Sequence, residues 1–386
     1  MFTHLSQSLA HARWSQTILG VLLLICVGSS GCGLGGLTAL SRTKAKKVAA
    51  VTSESTNQLS APDVNIVADL HADAATDLHA YEKYGAQIRA YLDQEKFDEI
   101  DRIADAVRSD KSRFAGGAWK LHKLYKGLSE PANSRTAADD VWELQISHLK
   151  KWTLTKPESI TARVALADAY VSYAWHARGN GFASKVREES WKPFADRLAM
   201  AERVLNDARK LKAKCPHWHL VMQIVAKGQG WDLQRYNRIF EEGAALEPGY
   251  HYLYGEKAQY LLPRWHGEEG DWERFAEETS RRLGGKLGSI MYYVIATDLA
   301  CYYKDREFFT DTKISWPKVK QGFADLDQTY GMSLGHLNEF CRIAGQSGEK
   351  AYTRALLQRI GDNWDPEAWD NKEYFEHYKA WAASGD

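Results

Sequence analysis

The chain has 386 residues, with 50 Lys and Arg against 50 Asp and Glu and a formal net charge of zero. That balance excludes the broad basic surplus on which a nucleic-acid-binding face depends, and the length allows one large or two ordinary domains around a buried core. Aromatic residues make up 12%, including 14 Trp and 19 Tyr, so large rings wedged between helices are expected, with an aromatic-lined groove for a peptide or glycan as the sharper reading.

Residues 1–40 read as a signal or an anchor. Nothing between Trp14 and Ser41 is charged, and Ile18 to Val27 is the strongest apolar run. Gly28-Ser29-Ser30-Gly31 then leads into Cys32, small residues before a cysteine that resemble a bacterial lipobox, in which Cys32 would be lipidated and become the mature N-terminus. Ser29 departs from the Leu or Val usual three places before that cysteine. An uncleaved membrane helix is the competing reading, since residues 17–40 give about 36 Å of helix, interrupted by several glycines. Simple cleavage and release is the third. Arg42, Lys44, Lys46 and Lys47 would hold their side in the cytoplasm, whereas the signal-like shape places the body outside it, at a bacterial cell envelope. Residues 41–64 lack periodicity and read as a flexible spacer.

From residue 65 to 386 the pattern predicts an all-α body. Ile88, Tyr91, Leu92, Phe97, Ile100, Ile103, Ala104 and Val107 fit two helices around a Gln94-Glu95 turn. His71, Asp73, Asp77 and His79 are expected on a solvent-facing first helix. Ala162, Ala165, Leu166, Ala169, Tyr170, Tyr173 and Ala174 make one stripe, stopped at Gly179 and Gly181. Phe194, Leu198, Ala201, Leu205 and Ala208 predict a partner helix over 188–213. Asp365-Pro366-Glu367 combines a cap, a first-turn proline and an early acid, ahead of one helix carrying Trp369, Tyr374, Phe375, Tyr378 and Trp381. The best strand candidate, Tyr292 to Ile295, has helical flanks.

A period near 34 would mark tetratricopeptide helix pairs. Pro157 with Leu166, Ala167 and Tyr170, and Pro248 with Tyr254, Ala258 and Asp271-Trp272, land on that consensus. The repeat is degenerate, because Pro216 and Pro248 stand 32 apart but Pro157 and Pro216 stand 59 apart. The expected fold is a tetratricopeptide-like α-solenoid of antiparallel helix pairs. The segments YVSYAWHARGNGFA (170–183), CPHW (215–218), GQGWD (228–232), FEEGAALEPGYHYLYGEKAQYLLPRWHGEEGDWERFA (240–276) and WDPEAW (364–369) resemble the bacterial domain of unknown function 4034 over residues 85–383. The resemblance implies a helical, repeat-like domain of often exported proteins. It implies no activity, substrate or catalytic residue.

Three constellations offer chemistry. Cys215, His217 and His219 are ligand types for zinc or copper, but residues two apart diverge on a helix and nothing completes a fourth ligand, so no metal is expected. Arg264-Trp265-His266-Gly267-Glu268-Glu269-Gly270-Asp271-Trp272 sets acids beside a histidine, but also makes a turn with Asp271 as helix cap. Trp175, His176 and Arg178 sit at a helix end, where Arg178 could hold a carboxylate or a ring, or brace a buried acid. No phosphate-binding glycine loop, nucleophile elbow, His-Glu-x-x-His helix or dinucleotide fingerprint is found. The expected function is therefore a membrane-tethered, non-catalytic scaffold without cofactor, holding a protein or peptide through Trp175, Arg178, Trp231, Arg264, Trp265 and Trp272. The alternative is a metal-dependent or acid–base hydrolase using His217 and His219 or the His266–Glu268–Asp271 loop.

Overall fold

A computed structural model describes residues 73–384 apart from 180 and 304–307. The signal or anchor over 1–40, Cys32, the spacer over 41–64 and His71 lie outside the described residues.

The two helices predicted around the Gln94-Glu95 turn are α1 (Ala80–Asp93) and α2 (Phe97–Ser109), and Glu95 turns the chain with φ 56°. Residues 73–79 form turns ahead of α1 instead of a first helix, because Asp73 and Asp77 spend their carboxylates on local backbone N–H groups. After α3 (Lys120–Ser129) and α4 (Asp139–Thr155) comes the small-residue stripe, α5 (Ile160–Arg178). Ser159 Oγ caps α5 by accepting from the Ala162 N–H, and Gly179 ends it with φ 71°.

The partner helix, α6, spans Glu188–Ala208 and stops before the expected residue 213. Its last buried position is Ala208 and Arg209 caps it, while Pro216 holds Cys215 extended (φ −142°, ψ 126°). Pro216 then opens α7 (Pro216–Gly228), followed by α8 (Leu233–Leu246), α9 (Tyr252–Tyr260), α10 (Asp271–Leu283) and α11 (Gly285–Ala300). The strand candidate Tyr292 to Ile295 lies within α11. Gly270, with φ 85°, is the cap residue of α10 rather than Asp271, whose carboxylate accepts from the Glu268 N–H and pairs with Arg274.

The C-terminal part comprises α12 (Phe308–Asp311), α13 (Trp316–Tyr330), α14 (Leu334–Gln346), α15 (Lys350–Ile360), α16 (Pro366–Trp369) and α17 (Lys372–Ala383). Asp365 caps as expected, but its helix is one turn long. The chain breaks at Asp370 (φ 61°), and Asn371 caps the separate helix that carries Tyr374, Phe375, Tyr378 and Trp381. The described residues are thus all-α, with 17 α-helices and no strand beyond one isolated bridge between Arg113 and Trp119. Among them, no helix is long and apolar enough to cross a membrane.

The odd-numbered helices from α1 to α13 pack each on the next, as one row, while α4 and α6 cover α5, α8 covers α7 and α10 covers α11. The row bends back on itself. The Gly116 N–H donates to the Gly331 carbonyl at 3.0 Å, and the Leu334 N–H donates to the Ala74 carbonyl at 3.0 Å. Arg113 stacks over Trp119 and Tyr330 and donates to the Gly249 carbonyl, tying the α2–α3 loop to two distant turns. Where the row curls, its inward-facing side chains enclose a cavity.

Candidate functional site

Four of the six expected contact residues converge. Trp175 and Trp265 meet edge to face with centroids 5.6 Å apart. The Arg178 guanidinium sits 5.2 Å from the Trp175 ring and 5.7 Å from the Trp265 ring, and it donates to the Gly179 and Gly181 carbonyls. Among the described residues no acid braces Arg178; burial lowers its pKa and the neighbouring Arg264 adds to this. Arg264 lies over Phe182 and Tyr302. The other two residues lie apart from this group. Trp272 is 1% exposed and donates to the Tyr303 hydroxyl. Trp231 is buried, donates to Gln229 and has the Arg235 guanidinium 3.1 Å over its ring. Both rings pack away from the Trp175–Trp265 pair.

The histidine constellations also come apart. His217 is buried, with Nδ1 at 2.8 Å from the Tyr250 hydroxyl and Nε2 at 3.1 Å from Asp168 Oδ2, so both ring nitrogens are engaged and neither is open to a metal. Tyr125 stacks on its ring at 4.2 Å and touches Cys215 Sγ through its hydroxyl at 3.4 Å. His219 faces elsewhere on α7, and burial pushes its pKa down to about 4. His266 is exposed, stacks on Tyr260 and sets Nε2 against the Lys227 carbonyl, while Asp271 is occupied by Arg274 and the Glu268 N–H. The loop therefore makes no acid–histidine pair. Among the described residues no group of three His, Cys, Asp or Glu could hold a metal ion.

The site that sequence reasoning missed is the enclosed cavity of about 90 Å³, room for roughly six water-sized groups. Its wall is built from Tyr81 of α1, Lys123 of α3, Tyr252, Gly255, Glu256 and Gln259 of α9, Tyr293, Val294, Thr297 and Asp298 of α11, and His336 and Glu339 of α14, with His251 just before α9. Burial is the leading influence on every titrating group here. It pushes the Lys123 ammonium down to about 8 and His336 down to about 4, and holds His251 well below the usual histidine range. It pushes Asp298 up to about 7, helped by the charge of Glu339, and raises Glu339 as well. Glu256 alone has a close counter-ion, Lys227 Nζ at 2.8 Å, with both side chains under 10% exposed. Lys227 also bonds to Gln259, which in turn bonds to the Tyr302 hydroxyl.

No family model, curated protein or solved structure matches this chain. The likeness to the domain of unknown function 4034 rests on its quoted segments alone. The cavity residues did leave one mark in the sequence: Asp298 interrupts the apolar run from Ile290 to Cys301, and Glu339 sits between Leu337 and Phe340. A single charge on an otherwise apolar helix face is the signal to look for.

Proposed function

We propose that this protein is a tetratricopeptide-like helical solenoid that serves as a non-catalytic binding scaffold. Its N-terminal segment tethers it to a bacterial cell envelope, and its inner cavity receives a segment of a protein partner. The observation that carries the reading is a pair of half-buried, opposite charges on the cavity wall without close counter-ions among the described residues. Among the described residues the Asp298 carboxylate has no hydrogen-bond or ion-pair partner, and Lys123 Nζ has only the Tyr81 ring, 4.4 Å away. Desolvating an ion without a partner costs free energy, a cost recovered when a bound segment supplies the missing partners. Tyr252, Tyr293 and Tyr302 add ring surface of the kind that anchors peptides. The hydrolase alternative has no comparable support, since His217 is sealed and the 266–271 loop satisfies itself.

The test is to pan a random peptide library on the full-length chain and on Thr297→Phe, which fills the cavity. Enrichment on the natural chain that is lost on a variant of unchanged far-UV circular dichroism supports the reading. Equal enrichment on both, or none on the natural chain, overturns it. The tether is checked by intact mass of membrane-extracted protein beside Cys32→Ala. Acyl mass on a chain beginning at Cys32, lost in the variant, is expected.

A further inference from the structure

The end of α5 gathers positive charge without an acid to match it. The Arg178 guanidinium is caged by four rings, 5.2 Å from Trp175, 5.3 Å from Trp191, 5.8 Å from Phe194 and 5.7 Å from Trp265. Arg178 is only 9% exposed, and of its donors Nη1 alone is spent, on the Gly179 and Gly181 carbonyls. Its Nε and Nη2 donate to nothing among the described residues, yet both keep contact with solvent. These two atoms form the side-on edge of the guanidinium, the edge that matches the two oxygens of a carboxylate.

Arg264 brings a second guanidinium to the same place. It precedes Trp265 in the chain and lies 4.6 Å from the ring of Phe182, the residue after the Gly181 carbonyl that Arg178 holds. Half-buried, it has ring contacts with Phe182 and Tyr302 and no ion pair among the described residues. The third cation here, Lys227, stands 5.2 Å from the Trp265 ring but is already matched by Glu256 at 2.8 Å. The indole N–H groups of Trp175, which is 6% exposed, and of Trp265 also lack a hydrogen-bond partner among the described residues. Two guanidinia and two indoles thus offer donors, and only two backbone carbonyls answer them. Desolvated donors without acceptors are costly to keep, and the missing partner is an anionic acceptor.

We propose that Arg178 and Arg264 form a recognition site for one carboxylate of the segment that the scaffold receives, with Arg178 gripping it side-on and Arg264 adding charge from the more open side. This rests on the scaffold reading and names a group the segment presents beside the cavity, since Tyr302, which Arg264 overlies, also lines that cavity. The Phe182 ring, 52% exposed, gives apolar surface to the stem that carries the carboxylate. One open fork between flat rings suits a planar anion better than a tetrahedral phosphate, which calls for donors on more sides. The group has two sources, an Asp or Glu side chain and a chain's own C-terminus.

The experiment is calorimetric titration of the full-length chain at pH 7 and constant ionic strength. The probes are N-acetylphenylalanine for a terminal carboxylate, N-acetylglutamate α-amide for a side-chain one, N-acetylphenylalaninamide as the neutral control, and inorganic phosphate. Saturable binding of a carboxylate is expected, and which of the two binds more tightly identifies the source. Binding should weaken about tenfold or more in Arg178→Lys, which keeps the charge but loses the fork, and in Arg264→Gln, with far-UV circular dichroism unchanged. Should Arg178→Lys fail to fold, Arg264→Gln on the half-buried side decides. No saturable carboxylate binding, equal binding of the amide, tighter binding of phosphate, or full binding by Arg264→Gln would overturn the proposal. If a carboxylate binds while the peptide library enriches nothing, this site stands and the scaffold reading falls. If peptides without Asp or Glu enrich while neither carboxylate binds, the scaffold stands and this site falls.

Discussion

Two enclosed clusters of ionisable groups lie on the same row of helices, and they are opposites. Around His217 every polar atom in the chain Tyr250–His217–Asp168 meets another, and Tyr125 seals the ring. Burial pushes Asp168 up, but the hydrogen bond from His217 and the charge of Lys126 outweigh it, leaving its pKa below the usual carboxylate range. Around the cavity the balance reverses. Burial wins, and Asp298 rises to about 7 while Lys123 falls to about 8. The same elementary cost is therefore answered by partners around His217 and left unanswered around the cavity. Burial of charge alone does not mark a functional site; burial without compensation does.

The comparison breaks most sharply if charge removal has the same sign in both places. Asp168→Ala should destabilise the fold by about 3–5 kcal/mol in urea unfolding, because it strands His217 Nε2 in the core. Since the folded-state pKa of Asp168 is depressed, the stability it confers is present above the unfolded value and lost as pH falls through the folded one.

Asp298→Asn should do the reverse and stabilise the fold by about 2–4 kcal/mol at pH 8. Between about 3.8 and 7 the unfolded chain gives up this proton and the folded one keeps it. Natural stability thus declines with rising pH over that window, and the gain from Asn should grow across it and then level off. Equal melting of the two chains at pH 8 would show that Asp298 has a partner after all.

Lys123→Met should stabilise by about 2–3 kcal/mol at pH 7. The depressed folded-state pKa means that charging Lys123 costs stability as pH falls from about 10.5 to about 8. The gain should therefore shrink as pH rises from about 8 and vanish above about 10.5, which thermal melts across that range would register. At the small end, Glu268→Gln on the exposed 266–271 loop should change stability by less than about 0.5 kcal/mol. A larger loss there, with a loss of binding, would return attention to that loop.

Local rules carried the helices, and the failures have local reasons too. Ser159, Gly179 and Pro216 each act within one turn of themselves, so the ends they set were legible. The overrun of α6 came from extending a periodicity past its last buried member, Ala208. Asp271 looked like a cap because its type and place fit, but Gly270 supplies the left-handed turn that the chain needs there. Trp231 and Trp272 looked like contact residues because a tryptophan beside a glycine-rich loop fits either role, and only packing separates them. The cavity was hidden for a different reason. Lys123, Asp298 and Glu339 are single charges on three helices, and no spacing rule links them until the row curls.

That curl has a consequence for how the molecule comes apart. An open array of helix pairs frays from its ends, one unit at a time, and keeps the remainder folded. Here the Gly116–Gly331 and Ala74–Leu334 backbone bonds join the first described turns to the start of α14. Closed in this way, the stretch from α1 to α13 cannot peel one unit at a time. The whole body should melt as one cooperative event, and a protease that clips between α13 and α14 should loosen α1 as readily as α17.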